Sequence, residues 1–144
     1  MIPKTIHYCW FGGKPLPPLA IKCLESWNKY LPDYEIIEWN ESNFPVNSIP
    51  YTKEAAAKGK WAFVSDYARF YILYHNGGIY LDTDVQILKS LNPFLKHHSF
   101  SGFESKDRVA PGLILGAEKG CSLMKKLMNS YHERHFINQN GLLN

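Results

Sequence analysis

The residues from Val64 to Asp84, VSDYARFYILYHNGGIYLDTD, predict a helix, a glycine turn and a strand in immediate succession. Apolar side chains recur at helical spacing from Trp61 to His75, which predicts a helix over that range. Gly77-Gly78 ends it, because glycine readily adopts the left-handed conformation that follows a helix. Ile79 to Val85 is then predicted as a strand, and the short turn makes helix and strand pack against each other.

The predicted strand carries two aspartates on one face, because side chains alternate between the two faces of a strand. Two carboxylates on one face repel each other, and a nearby cation removes that cost. Aspartate oxygens are hard ligands that suit Mg²⁺ or Mn²⁺ and leave positions open for a diphosphate. A solvated edge strand with a polar face is the alternative. The predicted faces are Tyr80, Asp82 and Asp84 on one side and Ile79, Leu81, Thr83 and Val85 on the other.

The helix before this strand adds an aspartate and an arginine. Asp66 and Arg69 are three residues apart and therefore neighbours on one helical face. They can approach the same end of the sheet as Asp82, or they can face solvent as a surface ion pair. The spacing is compatible with both arrangements.

The rest of the chain continues the alternation of strands and helices. Such alternation favours an α/β fold around a largely parallel sheet, and 144 residues fit a single domain over 1–144. The other predicted strands are Thr5–Phe11, Tyr34–Trp39, Ser99–Phe103 and Gly112–Leu115, and the other predicted helices are Pro17–Tyr30, Thr52–Lys58 and Ser122–His135.

Composition and charge narrow the function classes. A net charge of +3 does not suggest nucleic-acid binding, which typically requires a dense basic stripe. The three cysteines are odd in number and far apart, which argues against a disulfide framework or a zinc site and for a reducing compartment. With no apolar leader and no run of ~18 apolar residues, we expect a cytoplasmic protein. Its lysine clusters leave open a weak attraction to the inner face of the membrane.

The histidines contribute less to the prediction. His132 and His135 are three residues apart in the last predicted helix and could form a metal pair. No third ligand lies near them in sequence, so a solvated helix end is the preferred interpretation. His7 in the first strand is interpreted as a hydrogen-bonded core residue.

The pattern S-D-x-x-R at 65–69, followed by G-G-x-Y-x-D-x-D at 77–84, resembles the sugar-binding DxD region of family-32 glycosyltransferases. These include capsular and lipopolysaccharide sugar transferases and the yeast α-1,6-mannosyltransferases, and the glucosyltransferase domains of large clostridial toxins carry the same pattern. The N-terminus, IPKTIHYCWFGG at 2–13, is similar to the opening of the family. The resemblance covers nearly the whole chain.

The resemblance implies a GT-A fold, that is, a Rossmann-like nucleotide-diphospho-sugar transferase fold. Because family members are generally longer, we expect the chain to lack the usual C-terminal part. The implied reaction is a retaining, metal-dependent transfer of a sugar from a nucleotide-sugar donor to a hydroxyl group, with Mn²⁺ or Mg²⁺ as cofactor. We expect a UDP-sugar rather than GDP-mannose as donor, and a glycan or lipid-linked glycan as acceptor in capsular or lipopolysaccharide biosynthesis.

The resemblance also implies which residues bind the donor. Trp10 would stack near the donor base. Asp66 and Arg69 would hold the sugar hydroxyls and the phosphate. Ser65 would contact the ribose or the sugar, and Tyr80 would hydrogen-bond the diphosphate or the sugar.

The two aspartates of the DxD motif are the implied metal ligands. Asp84 would bind the metal directly, and Asp82 would act through the ribose, a water or the metal. No residue identifies itself as a nucleophile, so the route of retention stays open. The implied catalytic set is Asp66, Arg69, Asp82 and Asp84.

Two other functions are compatible with the sequence. A non-catalytic nucleotide-sugar-binding module would bind the donor without transferring the sugar. A sugar-phosphate nucleotidyltransferase also places aspartates beside Mg²⁺, but it needs a glycine-rich phosphate loop with a basic residue near the N-terminus. Gly12-Gly13-Lys14 is only a faint version of such a loop. Consumption of a nucleoside triphosphate with pyrophosphate release would indicate this second function.

Overall fold

The computed structural model describes residues 1–105 and 108–137, which form alternating strands and helices. Two short 3₁₀ turns, Val46–Ser48 and Asn92–Phe94, lie in the connections. The strands are β1 (Thr5–Cys9), β2 (Glu35–Trp39), β3 (Gly78–Leu81), β4 (Ser99–Ser105) and β5 (Arg108–Ala117). The helices are α1 (Pro18–Tyr30), α2 (Pro50–Ala57), α3 (Trp61–Asn76) and α4 (Ser122–Asn129).

The strands form one mixed sheet in the order β2-β1-β3-β5-β4. Strands β2, β1 and β3 are parallel, and Ile6 of β1 pairs with both Ile36 and Ile79. Strand β5 runs antiparallel to both β3 and β4. Four of the five described strands therefore run in the same direction, and the expectation of a largely parallel sheet fails only at β5. Strand β5 follows β4 without a helix between them, and a parallel neighbour would need a crossover connection.

Apolar side chains cover both faces of the sheet. On one face, Ile79 and Leu81 pack in a cluster with Trp27 of α1. On the other face, Cys9 and Tyr80 belong to a cluster built with α2, α3 and α4. The domain is therefore a sheet between two helical layers, and alternation along β3 turns Tyr80 towards α3.

The direct link from α3 to β3 depends on two glycines. Gly77 and Gly78 have φ angles of 70° and 118°, which residues with a Cβ rarely adopt. A Cβ on Gly78 would lie 2.7 Å from the Thr5 carbonyl oxygen, so β1 passes very close. The buried His7 ring completes the link, because Nδ1 accepts from Trp39 Nε1 (3.0 Å) and Nε2–H donates to the Gly77 oxygen (2.9 Å). The prediction that His7 is a hydrogen-bonded core residue is confirmed.

Strand β3 ends at Leu81, and the predicted continuation to Val85 is wrong. The chain turns at Asp82, because the Val85 N–H donates to the Asp82 carbonyl oxygen at 3.1 Å. Asp82 and Asp84 therefore do not alternate on one strand face. They lie at the strand end and in the turn that follows it.

Helix α4 ends at Asn129, so the predicted helix up to His135 is wrong as well. The chain leaves the helix axis because Phe136 is completely buried, with its ring 5.8 Å from that of Tyr51. Glu54 of α2 holds this segment: it accepts from the Phe136 N–H at 2.8 Å and lies 2.6 Å from His135 Nδ1. The two histidines that were considered as a metal pair are therefore not one turn apart on a helix.

The three cysteines Cys9, Cys23 and Cys121 are unpaired, and the first two are buried. Within the described parts of the chain, no helix has both the length and the apolar character needed to cross a membrane.

Candidate active site

The carboxyl ends of β1 and β3 lie side by side at one edge of the sheet. After β1 the chain passes through α1 on one face, and after β2 it passes through α2 and α3 on the other face before it enters β3. Such a reversal leaves a crevice between neighbouring strand ends, and this crevice is where open α/β sheets bind their ligands.

A cavity of about 470 Å³ opens at this crevice, with walls from the end of β1, from α3 and from the end of β3. It brings together all seven residues predicted for the site, which are Trp10, Ser65, Asp66, Arg69, Tyr80, Asp82 and Asp84. The wall also contains Cys9, Phe11, Lys14, Trp61, Ala62 and Thr83.

Helical spacing explains how α3 contributes to the wall. Ala62, Ser65, Asp66 and Arg69 occupy positions i, i+3, i+4 and i+7 and therefore share one helical face. That face borders the cavity. Of the two arrangements that the spacing allowed, Asp66 and Arg69 adopt the one that approaches Asp82.

Arg69 is the central charge of this wall. Its Nη2 donates to Asp66 in an ion pair, and its Nε donates to the Ser65 carbonyl oxygen at 3.4 Å. The guanidinium carbon also lies 5.6 Å from the centre of the Tyr80 ring. Because the residue is only 8% exposed, these contacts fix the position of its positive charge.

Three carboxylates share the cavity with this arginine. Burial raises the pKa of the Asp82 carboxyl above its ordinary value, while the Arg69 guanidinium and the Tyr80 hydroxyl oppose that rise and Asp84 adds to it. Burial likewise raises the pKa of the Asp66 carboxyl. Asp84 is exposed at the mouth. A cation among these groups would favour their ionised forms.

The aspartates fit a hard divalent cation. Asp82 and Asp84 present carboxylate oxygens from one turn, and Mg²⁺ typically takes one or two carboxylates together with substrate phosphates. Within residues 1–105 and 108–137, no group of three His, Cys, Asp or Glu side chains is arranged to hold a metal ion.

Trp10 lies just beyond β1 and borders two spaces. It lines the main cavity and also a neighbouring cavity of about 530 Å³. Its Nε1 donates to the Lys14 carbonyl oxygen at 2.6 Å, and its backbone N–H donates to the Trp39 carbonyl oxygen at 2.8 Å. The indole is therefore held in place between the two cavities.

Six residues of the wall were not predicted for the site, among them Trp61, Cys9 and Lys14. Trp61 lies one turn before Ser65, so extending that helical face backwards would have found it; its ring stacks on Phe11 with centres 5.9 Å apart. Burial raises the pKa of the Cys9 thiol to about 12, which makes it a neutral part of the wall. Lys14 lies in the loop after β1, and its sequence context, Gly12-Gly13-Lys14, indicated only a faint version of a phosphate loop.

Residues 17–101, more than half of the chain, match the family described as glycosyltransferase sugar-binding region containing DXD motif. The chain is 30% identical over 142 residues to inositol phosphoceramide mannosyltransferase 3 of Schizosaccharomyces pombe, covering 90% of this chain and 37% of that protein. It is 36% identical over 101 residues to the uncharacterized glycosyltransferase L373 of Acanthamoeba polyphaga mimivirus, covering 66% of this chain and 40% of that protein. It is 26% identical over 126 residues to the initiation-specific alpha-1,6-mannosyltransferase of Candida albicans, covering 81% and 32% respectively.

The chain thus spans between 32% and 40% of the length of these three relatives. Among solved structures, the PaToxG glycosyltransferase matches with a TM-score of 0.72 at 18% identity, covering 92% of this chain and 62% of that one. At this identity the match establishes the fold alone, which is the GT-A glycosyltransferase fold expected from the sequence. Together with the family match over α3, β3 and both aspartates, these comparisons show that the chain belongs to the DXD-containing family-32 glycosyltransferases.

Proposed function

We propose that this chain binds a nucleotide-sugar in the cavity between β1 and β3 and transfers the sugar to a hydroxyl group of an acceptor, with the aid of a divalent cation. The single observation that carries the proposal is the convergence of Asp82, Asp84, Asp66 and Arg69 on one cavity at the reversal point of the sheet. Family membership supports the same reaction class.

The donor would lie with its base beside Trp10, which borders the cavity from the β1 side. Asp66 would accept hydrogen bonds from sugar hydroxyls, while Arg69 would donate to a phosphate. Ser65 would contact the ribose or the sugar, and Tyr80 the diphosphate or the sugar. The contacts of the Arg69 guanidinium with Asp66 and Tyr80 support this arrangement, because they hold the charge in one position before the donor arrives.

Asp82 and Asp84 would hold Mn²⁺ or Mg²⁺. A cation bound there would act as a Lewis acid on the departing diphosphate, which is worth several kcal/mol in comparable sites. The mutual repulsion of the carboxylates, visible in the direction in which Asp84 shifts the pKa of Asp82, supports a cation as their partner.

In the proposed reaction the bond between the anomeric carbon and the diphosphate oxygen breaks, and its electron pair stays on that oxygen. The acceptor oxygen forms the new bond to the anomeric carbon with retention of configuration. The products are the glycoside, a nucleoside diphosphate and one proton from the acceptor hydroxyl. Arg69, which its contacts with Asp66 and Tyr80 hold in place, would stabilise the charge that develops on the phosphate oxygens.

The donor and acceptor are proposed by class. A UDP-sugar is the expected donor, whereas the names of two relatives contain mannose, so GDP-mannose enters the test beside it. One relative is named for inositol phosphoceramide, a lipid, which supports a lipid-linked acceptor. We place this acceptor in capsular or lipopolysaccharide biosynthesis, as the sequence resemblance implies, with the chain at the inner face of the membrane.

Titration calorimetry tests the binding step. UDP-glucose, UDP-galactose, UDP-N-acetylglucosamine and GDP-mannose are titrated with Mn²⁺ and with chelator into the wild type, Asp84→Asn and Asp33→Asn. Asp33 is an exposed aspartate paired with Lys4 and serves as the matched control. We expect metal-dependent binding of one donor, unchanged in Asp33→Asn and weakened by more than about 10-fold in Asp84→Asn, because losing a direct ligand should cost at least as much as losing a residue that orients one.

A transfer assay with the donor that binds tests the reaction. Release of nucleoside diphosphate together with a glycoside supports the transferase. Binding without transfer supports a nucleotide-sugar-binding module, which is compatible with a chain that spans about a third of its relatives. Pyrophosphate release from a nucleoside triphosphate, or no binding to a folded protein, contradicts the proposal.

A further inference from the structure

The positively charged side chains of the cavity wall differ in whether a carboxylate pairs with them. Its described lining carries two cations, Arg69 and Lys14. Arg69 is buried and already paired with Asp66. Lys14 is exposed, and no carboxylate within the described residues forms an ion pair with it. Lys14 is therefore a second cation of this wall, beside Arg69, and no carboxylate in the part of the chain that the structure describes competes with an anionic ligand for it.

The backbone of the loop that carries Lys14 is held at Gly12 and at Lys14 itself. The Lys14 carbonyl oxygen accepts from Trp10 Nε1 at 2.6 Å. The backbone N–H of Gly12 donates to Glu41 Oε1 at 2.9 Å. Gly12 has a φ of 93°, and a Cβ there would lie 2.8 Å from Trp61 Nε1. The loop is thus held by the indoles of Trp10 and Trp61 and by Glu41, so the lysine side chain starts from a defined position at the rim.

Lys14 also lies where the two cavities meet. Lys14 and Trp10 both line the main cavity and the neighbouring one of about 530 Å³. A nucleotide-sugar with its base beside Trp10 and its metal at Asp82 and Asp84 has its diphosphate between those points. The diphosphate would then pass along the rim that Lys14 borders.

We propose that Lys14 is a ligand of the donor diphosphate, with its ammonium group bound to non-bridging phosphate oxygens. The proposal rests on the proposed function, because it assumes a nucleotide-sugar in this cavity. It also gives a role to Gly12-Gly13-Lys14, which in sequence is only a faint version of a phosphate loop: Gly12 lets the loop pack against Trp61, and the lysine supplies the charge.

Calorimetric titration of UDP and GDP at saturating Mn²⁺ tests the assignment in the wild type, Lys14→Met, Lys14→Arg and Lys96→Met. Lys96 is exposed and follows Leu95, whose carbonyl accepts from the Ile2 N–H near the amino end of β1, away from the cavity. We expect Lys14→Met to weaken nucleoside diphosphate binding about 10- to 100-fold, as for loss of a hydrogen bond to a charged group. The affinity of Lys14→Arg for the nucleoside diphosphate should stay within about 3-fold of the wild type because arginine keeps the charge. Lys96→Met should bind with the affinity of the wild type.

A second arm shows which part of the ligand Lys14 touches. The matching nucleoside, followed by tryptophan fluorescence, should bind equally to the wild type and to Lys14→Met. An equal loss for nucleoside and diphosphate would place Lys14 on the base and overturn the assignment. The salt dependence of diphosphate binding should also be weaker in Lys14→Met, since one cation fewer contacts the anion.

The outcomes separate this proposal from the proposed function. Wild-type binding that Lys14→Met leaves intact overturns the role of Lys14 and leaves the donor site standing. A folded wild type that binds neither nucleotide contradicts the donor site, and the role of Lys14 falls with it.

Discussion

The indole nitrogen of Trp27 donates a hydrogen bond of 2.8 Å to the carbonyl oxygen of Val85. This bond joins α1 to the turn that carries the aspartates, although α1 and α3 cover opposite faces of the sheet. A second bond reinforces the contact, because the Ser26 hydroxyl oxygen accepts from the Ile87 N–H at 2.9 Å. The position of Asp84 thus depends on a helix that contributes no residue to the cavity wall.

Replacing Trp27 by Phe tests this dependence. The residue is completely buried, so the variant loses packing and leaves the Val85 carbonyl without its donor. We expect the free energy of unfolding in urea to fall by about 2–4 kcal/mol. Leu19→Ala, at a position 60% exposed on the same helix, should stay within about 0.5 kcal/mol of the wild type. Equal values for the two variants would contradict the structural role of the bond.

Gly78→Ala should be among the most destabilising single substitutions in the domain. Its Cβ would meet the Thr5 carbonyl oxygen at 2.7 Å and His7 Nε2 at 2.9 Å, at a φ of 118°. Because backbone strain and a clash with a backbone atom combine, we expect the free energy of unfolding, measured by heat or urea, to fall by more than about 3 kcal/mol. At Gly59, where φ is 68°, an added Cβ would have no atom within 4 Å, and Gly59→Ala should lower the free energy of unfolding by about 1–2 kcal/mol. A loss at Gly78 no larger than at Gly59 would mean that β1 does not pass so close.

Burial of His7 predicts an acid-sensitive contribution to stability. Burial lowers the pKa of its imidazole below the ordinary 6.5, so the unfolded chain binds more protons than the folded chain as the pH falls past that value. The contribution of His7 to the free energy of unfolding is therefore fully present above about pH 6.5 and decreases below that pH. We expect the wild type to be more stable than His7→Gln at pH 7.5 and the gap to narrow by pH 5 in urea unfolding. A constant gap across that range would contradict a buried, neutral ring.

The pair of Asp66 and Arg69 should show energetic coupling. Arg69 is buried while the Asp66 side chain keeps 42% of its surface exposed, so solvent reduces the attraction. In a double-mutant cycle with Asp66→Asn and Arg69→Met, we expect a coupling of about 1 kcal/mol in the free energy of unfolding. Additive effects would contradict an energetic contribution of the ion pair to the stability of the folded chain.

Local sequence patterns predicted those parts of the fold that local chemistry decides. Helix α3 and its end at the glycines follow from apolar spacing and from the conformational freedom of Gly77, and β1, α1 and β2 lie close to their predicted ranges. The direction of β5 could not be predicted in this way. It depends on pairing with β3, which is many residues away in the sequence. The propensity of residues to form a strand does not specify the direction in which that strand runs.

Local sequence patterns likewise predicted some features of the candidate site and missed others. The spacing of Ser65, Asp66 and Arg69 predicted that they share a helical face, but which face is buried depends on the sheet beneath it. The turn at Asp82 was missed because alternation continues through the residue types IYLDTDV even where the backbone leaves the strand. Lys14 was not predicted for the site because glycines and prolines around it are typical of any turn, and only the contacts with Trp10 and Trp61 give the loop a fixed form.

The hydrogen bond from His7 to Gly77 joins residues 70 positions apart in the chain. The two sides of the cavity are brought together by the same pairing of β1 with β3, in which Ile6 meets Ile79 and His7 meets Tyr80. A chain in which these strands are apart has no cavity. Occupancy and folding are consequently linked equilibria: a ligand present at 100 times its dissociation constant adds about 2.7 kcal/mol to the free energy of unfolding of the whole domain.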